Sequence, residues 1–164
     1  MRKLVVGVMG AGEGAAQNDL RKARKLGELI ARQGWILLSG GRDAGVMREV
    51  NRGAKLVKGS LTIGILPARD SKVSEFVDVA IITDMGQARN NINVLSSDVV
   101  VACGKGGAGT VAEIALAIKA HKPVVLLASD DASLAFWQTL TDKNLFTADT
   151  PEQVIEIILN HHPG

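Results

Sequence analysis

The chain has 164 residues, of which 46% are hydrophobic and 22% charged; 19 basic residues against 17 acidic ones leave a net charge of +2. That balance describes an ordinary globular protein with room for a core and excludes a disordered chain. So small a charge, with three Phe, two Trp and no Tyr, supplies neither the field nor the stacking platform that nucleic acid requires.

One cysteine excludes an internal disulfide and fits a reducing compartment. The apolar stretch behind Met1-Arg2-Lys3 soon meets glycines, too early for a signal peptide and far too early for a membrane span. The expectation is a cytoplasmic protein with no membrane contact, built as one domain over residues 1–164.

Taken in order, Lys3–Met9 predicts a buried strand, followed by a loop with Gly10, Gly12, Glu13 and Gly14. A helix starts at Gln17 or Asn18. Its buried stripe is Leu20, Ala23, Leu26, Leu29 and Ile30, spaced by threes and fours, and Gly34 ends it. Trp35–Ser39 is a second strand closed by Gly40-Gly41-Arg42. A short helix runs from Asp43 or Ala44, past Gly45, to Gly53-Ala54. Leu61–Leu66 is a third strand stopped by Pro67, Ala68–Ser74 a polar loop, and Val77–Ile82 a fourth strand.

Met85–Leu95 predicts a helix with Arg89, Asn90 and Asn93 on one side. Asp98–Ala102 is a strand and Gly109–Ala120 its following helix. Pro123–Leu127 is another strand, Ala132–Leu140 a helix, and Leu145–Thr147 a short edge strand. Thr150-Pro151 opens the last helix, proline first, with Val154, Ile157 and Ile158 as its buried stripe. Strand and helix alternate throughout, which argues for a mostly parallel, doubly wound α/β sheet with helices on both faces. Three glycine loops, at 10–14, 40–45 and 104–109, all follow strands. In such a sheet they meet at the carboxyl edge, where ligands sit.

The strongest signal is Val99–Glu113, an apolar β-branched run broken by four glycines within six residues and reopened as a helix. Strand, glycine turn and helix start aim free N–H groups and the positive helix end at an anion. Gly106, Gly107, Ala108 and Gly109 would let a phosphate approach closely. Lys105 adds a point charge or is a solvated loop lysine. Thr110 bonds a phosphate oxygen or caps the helix, and Glu113 is a site carboxylate or a structural one near the helix end. Arg89, Asn90 and Asn93 are likewise a ligand-facing set or a solvated helix face.

Gly104-Lys105-Gly106-Gly107-Ala108-Gly109 also matches G-x-G-x-x-G, with Asp130 and Asp131 at the distance of a ribose-binding acid. It follows the fifth strand rather than the first, and no substrate domain comes after it, which argues against a nicotinamide dehydrogenase. The Walker lysine pattern is absent. Cys103 reads as a small buried residue rather than a nucleophile. His121 has no partner at metal spacing and His161-His162 lie in the tail, so no metal site is expected.

The segments VGVMGAGEG, GWILLSGGRDAGVM, GSLTIGILP and ARNNINVLSSDVVVACGKGGAGTVAEIALAIKAHKPVVLL resemble the LOG-like, or lysine-decarboxylase-like, Rossmann proteins. Over roughly residues 3–160 the resemblance is closer to the molybdenum cofactor carrier group among them. It implies a Rossmann-like sheet and a cytoplasmic homo-oligomer, a tetramer, that binds molybdenum cofactor and protects it. The cargo then passes to an insertion factor or an apo-molybdoenzyme. The phosphate of the cofactor suits Gly106–Thr110, and Arg42, Arg89 and Lys105 balance its anionic groups. The nucleotide-free cofactor and its dinucleotide form both fit that description.

The alternative is a nucleoside 5′-monophosphate phosphoribohydrolase of the LOG type, whose motif is P-G-G-x-G-T-x-E-E. Here Lys105 stands at the proline and Ala112 at the first glutamate. Glu113 matches the second glutamate and Arg89 the upstream arginine, while Asn90 replaces the lysine that accompanies it.

Overall fold

Short continuous apolar runs alternate along the chain with segments whose apolar residues recur at threes and fours, and the elements follow that alternation. The computed structural model describes residues 2–141 and 143–161. The strands are β1 (Val5–Gly10), β2 (Ile36–Ser39), β3 (Leu61–Leu66), β4 (Val79–Ile82), β5 (Val99–Cys103), β6 (Val124–Leu127) and β7 (Leu145–Ala148). The helices are α1 (Gln17–Arg32), α2 (Gly45–Ala54), α3 (Arg89–Ser96), α4 (Ala108–Lys119), α5 (Asp131–Gln138) and α6 (Pro151–His161).

All strand pairs are parallel, in the order β4-β3-β2-β1-β5-β6-β7. This is the α/β Rossmann-like sheet the sequence predicts. The strands at its centre are buried on both faces, so β5 reads Val-Val-Val-Ala-Cys without polar alternation.

Alternate residues feed two cores. Val6, Val8, Val99, Val101 and Cys103 pack with Leu26 and Ile30 of α1, Val50 of α2 and Ile158 of α6. Val5, Met9, Val100 and Ala102 pack with Val94 of α3, Ile114 and Ala117 of α4, and Trp137 of α5. Each fully buried Leu or Ile contributes about 1.5–3 kcal/mol of burial, and the two layers hold the sheet from both sides. Helices α1 and α2 touch through glycines: a Cβ on Gly27 would strike the Val50 carbonyl oxygen, and one on Gly53 the Arg24 carbonyl oxygen.

Three local readings change. The fourth strand begins at Val79, because the Val77 N–H turns back to the Ser74 carbonyl and the Asp78 N–H is taken by Thr62. The helix expected over Met85–Leu95 is divided. Gly86, at φ +55°, starts a 3-10 turn over Gly86–Ala88, and α3 follows it. In α6 the buried residues are Pro151, Val154, Ile155 and Ile158, with Ile157 only partly covered.

The order of the strands fixes the place of a site. The chain leaves β1 toward β2, β3 and β4, then crosses back to add β5 on the other side of β1. At the carboxyl ends of these two central strands Gly10 lies beside Cys103. The loops that leave there diverge, and a crevice opens at that switch point. No described helix is long and apolar enough to cross a membrane.

Candidate functional site

A crevice of about 610 Å³ occupies the switch point. Gly10, Gly12, Glu13 and Gly14 line it from the β1 loop, and Gly40 and Arg42 from the β2 loop. Arg89 and Asn90 come from the start of α3, and Gly106, Gly107, Ala108, Gly109, Thr110 and Glu113 from the turn into α4. All three glycine loops therefore meet at one cavity.

The turn into α4 is built for close approach. Gly106 sits at φ +67°, where a Cβ would also collide with Thr110. Gly107 is the N-cap of α4 and offers no side chain to the helix start. The first backbone bond there runs from the Val111 N–H to the Gly107 carbonyl, at 3.0 Å. The N–H groups of Ala108, Gly109 and Thr110 thus have no acceptor within the helix, and all three residues line the crevice. Beyond the adjoining chain and the backbone of α4 itself, no atom of the described residues lies within 4 Å of where a Cβ would stand on Gly107 or Gly109. An anion can reach this helix end, where the dipole favours it.

Arg89 and Glu113 also line the crevice, and each is over nine-tenths buried. Arg89 Nη1 lies 3.8 Å from Glu113 Oε1, and Asn93 donates to that same oxygen at 2.8 Å. Asn93 stands behind the pair, outside the crevice lining. Its own carbonyl accepts from Ser97 Oγ at 2.7 Å, which ties this turn of α3 down. Burial pushes the Glu113 carboxyl above the usual carboxylate range, against the opposing pull of Asn93 and Arg89. Burial likewise lowers the Arg89 guanidinium; Glu113 opposes this and Arg42 adds to it. Arg89 Nε and Asn93 Oδ1 are buried without a hydrogen-bond partner among the described residues, an arrangement that costs stability unless a ligand or solvent offsets it. Arg42 is freer: its Nη2 lies 4.0 Å from Glu13 Oε1, its side chain is 44% exposed, and that of Glu13 is open to solvent.

Besides Asn93, three of the residues expected at a ligand lie elsewhere. Gly41 donates its N–H to Ser39 Oγ at 3.1 Å and rests against Gly64. At Gly45 a Cβ would strike the carbonyls of Ala11 and Gly12, while the next residue, Val46, donates to the Ala11 carbonyl at 2.9 Å. These two glycines shape the loops and stay out of the lining. Lys105 is exposed and lines a neighbouring cleft.

Met47, Pro67 and Gln87 line the crevice although no motif marked them. Pro67 ends a strand at the same sheet edge as the glycine loops, a signal available in the sequence. Cys103 donates its thiol to the Asp19 carbonyl at 3.6 Å, and burial pushes it up to about 12. It is a buried thiol and no nucleophile. His162 lies outside the described residues; among those described, no group of His, Cys, Asp or Glu is gathered as for a metal ion.

Comparison with known proteins bears on this site. A model of the SLOG cluster4 family matches residues 3–155. The chain is similar to the molybdenum cofactor binding protein of the phototrophic bacterium Rippkaea orientalis, at 52% identity and TM-score 0.94 over 98% of both chains. It is also similar to the molybdenum cofactor carrier protein of Chlamydomonas reinhardtii, at 46% identity and TM-score 0.91 over 97% of this chain and 98% of that one. An uncharacterized protein of Archaeoglobus fulgidus is 46% identical over 127 residues, 77% of this chain and 82% of its own.

Proposed function

The chain belongs to the SLOG cluster4 family, and from that premise we propose that it binds, protects and hands on molybdenum cofactor. The observation that carries the reading is the start of α4, where Gly107 and Gly109 stand clear of any neighbour and open on the crevice. The terminal phosphate of the cofactor sits against the N–H groups of Ala108, Gly109 and Thr110. Gly10–Gly14 and Gly40 leave width for the flat pterin. Arg42 faces the anionic groups as a mobile cation, and Arg89 as a fixed one. These contacts are all noncovalent, as release to an acceptor requires.

The protein works as a cytoplasmic homotetramer and passes its cargo to an insertion factor or an apo-molybdoenzyme. Self-association is supported by edge strand β4, whose four residues are all exposed, with Val79, Ile81 and Ile82 among them and Met85 just beyond. An apolar edge of that kind needs a cover.

To test the carrier function, the purified protein is loaded anaerobically with cofactor, freed of excess, and held in air while it activates an apo-molybdoenzyme. Activity that outlasts free cofactor is the expected result. Decay at the rate of free cofactor ends the proposal.

A second reading, the nucleoside 5′-monophosphate phosphoribohydrolase, is favoured by the Arg89–Glu113 pair on the crevice lining. It requires nucleobase release that Glu113→Ala abolishes, and no turnover across the common monophosphates ends it.

A further inference from the structure

The pattern Gly104-Lys105-Gly106-Gly107-Ala108-Gly109, with Asp130 downstream, is only half used by the crevice. Gly106–Gly109 line the crevice, whereas Gly104, Lys105 and Asp130 line a second cleft of about 360 Å³. One glycine turn thus forms a shared wall between two cavities at the same edge of the sheet.

The second cleft lies between α4 and α5. Val111, Phe136 and Trp137 give it apolar sides, and Lys105 and Asp130 stand among its few charged groups. Apolar walls with a small number of placed polar groups, in a volume within roughly 300–1,000 Å³, are the make-up of a small-molecule site. Phe136 presents 55% of its surface and meets the buried Trp137 edge-on, with ring centroids 5.0 Å apart. A planar ring has a flat partner there. Asp130 accepts from the Ser133 N–H at 2.7 Å through Oδ1, which caps α5 and leaves Oδ2 free to accept from a diol. Lys105, on the shared turn, supplies a positive charge where the two cavities adjoin.

We infer that the second cleft holds the nucleoside half of a dinucleotide form of the cargo. The base lies against Phe136, the ribose hydroxyls meet Asp130, and the second phosphate crosses the turn between Gly104 and Gly107 beside Lys105, while the first stays at the start of α4. The inference rests on the carrier reading and names which form of the cofactor the protein takes. Sequence composition excludes a platform for a nucleic-acid strand, but one exposed ring is enough for one base.

The test compares anaerobic binding of the nucleotide-free cofactor and its guanine and cytosine dinucleotide forms, with GMP and CMP alone as controls. The proteins are the unaltered full chain, Ala132→Trp, which fills the mouth of the cleft, and Phe136→Ala, which removes its exposed ring. Both positions are on the exposed side of α5. A dinucleotide form should bind about tenfold tighter than the nucleotide-free cofactor, the scale of one base–aromatic contact. Both substitutions should remove that advantage and leave nucleotide-free binding as it was.

Equal binding of all forms overturns the inference and leaves the carrier reading standing. Retention of no form overturns both. GMP or CMP bound alone as tightly as the dinucleotides, and lost in Ala132→Trp, makes the occupant a free nucleotide and overturns the assignment to cargo.

Discussion

At the seam between α1 and α2, Gly27 and Gly53 let two helices meet backbone to backbone, each with a carbonyl oxygen where its Cβ would stand. At the start of α4, Gly107 and Gly109 are bare in the opposite sense: among the described residues no other element comes within 4 Å of that point. The same residue type serves stability in one place and access in the other. A glycine in a sequence says that a side chain is unwelcome; the fold says whether protein or ligand takes the space.

Substitutions at these positions sharpen the contrast. Gly27→Ala should cost about 3 kcal/mol, at the upper end for overpacking, because the Val50 carbonyl belongs to helix α2 and cannot turn away. Chemical denaturation measures it, and a loss below about 1 kcal/mol would show that the seam opens easily.

Gly107→Asp is the counterpart. Its φ of −124° suits any residue and Asp is a good N-cap, so stability should hold within about 0.5 kcal/mol. An anion set against the phosphate should nevertheless weaken cofactor retention at least tenfold, about 1.4 kcal/mol. Unchanged retention would move the phosphate elsewhere.

Gly109→Ala is milder. A methyl group inside a helix should raise stability by about 0.5 kcal/mol. Retention should fall by less than in Gly107→Asp, and a greater loss would mean that the cofactor presses closest at Gly109.

The smallest effect is a slope. The Glu113 carboxyl is raised in the folded state, so between the ordinary carboxylate value and that raised value the folded chain holds more proton than the unfolded one. Stability from this group is present below that window and is lost as pH rises through it. Glu113→Gln should remove the loss, so its stability relative to the unaltered chain should improve with rising pH. A difference independent of pH would mean that Arg89 keeps the carboxylate at its ordinary value.

Much of the fold is legible in the chain because strand and helix spacings alternate cleanly, and the convergence of three glycine loops follows from parallel topology alone. The lining was less legible. Gly41 and Gly45 look like Gly40 in sequence, yet they are spent on contacts with Gly64 and with the Ala11 and Gly12 carbonyls, which only tertiary packing creates. Lys105 lies in the same turn as Gly106 but lines the other cavity, a difference of direction that a motif does not encode. Met47 and Gln87 carry no pattern at all. Their place follows from how α2 and the turn before α3 are set against the sheet.

Cys103 gives the molecule a built-in clock. It is the one thiol in the chain, it ends β5 beside Gly10 of the central strand β1, and with its ionisation pushed up to about 12 it holds almost no thiolate at neutral pH. An alkylating reagent can therefore label it only when the middle of the sheet opens. The labelling rate reads the breathing of the scaffold under the crevice, and any ligand that binds the closed form must slow it.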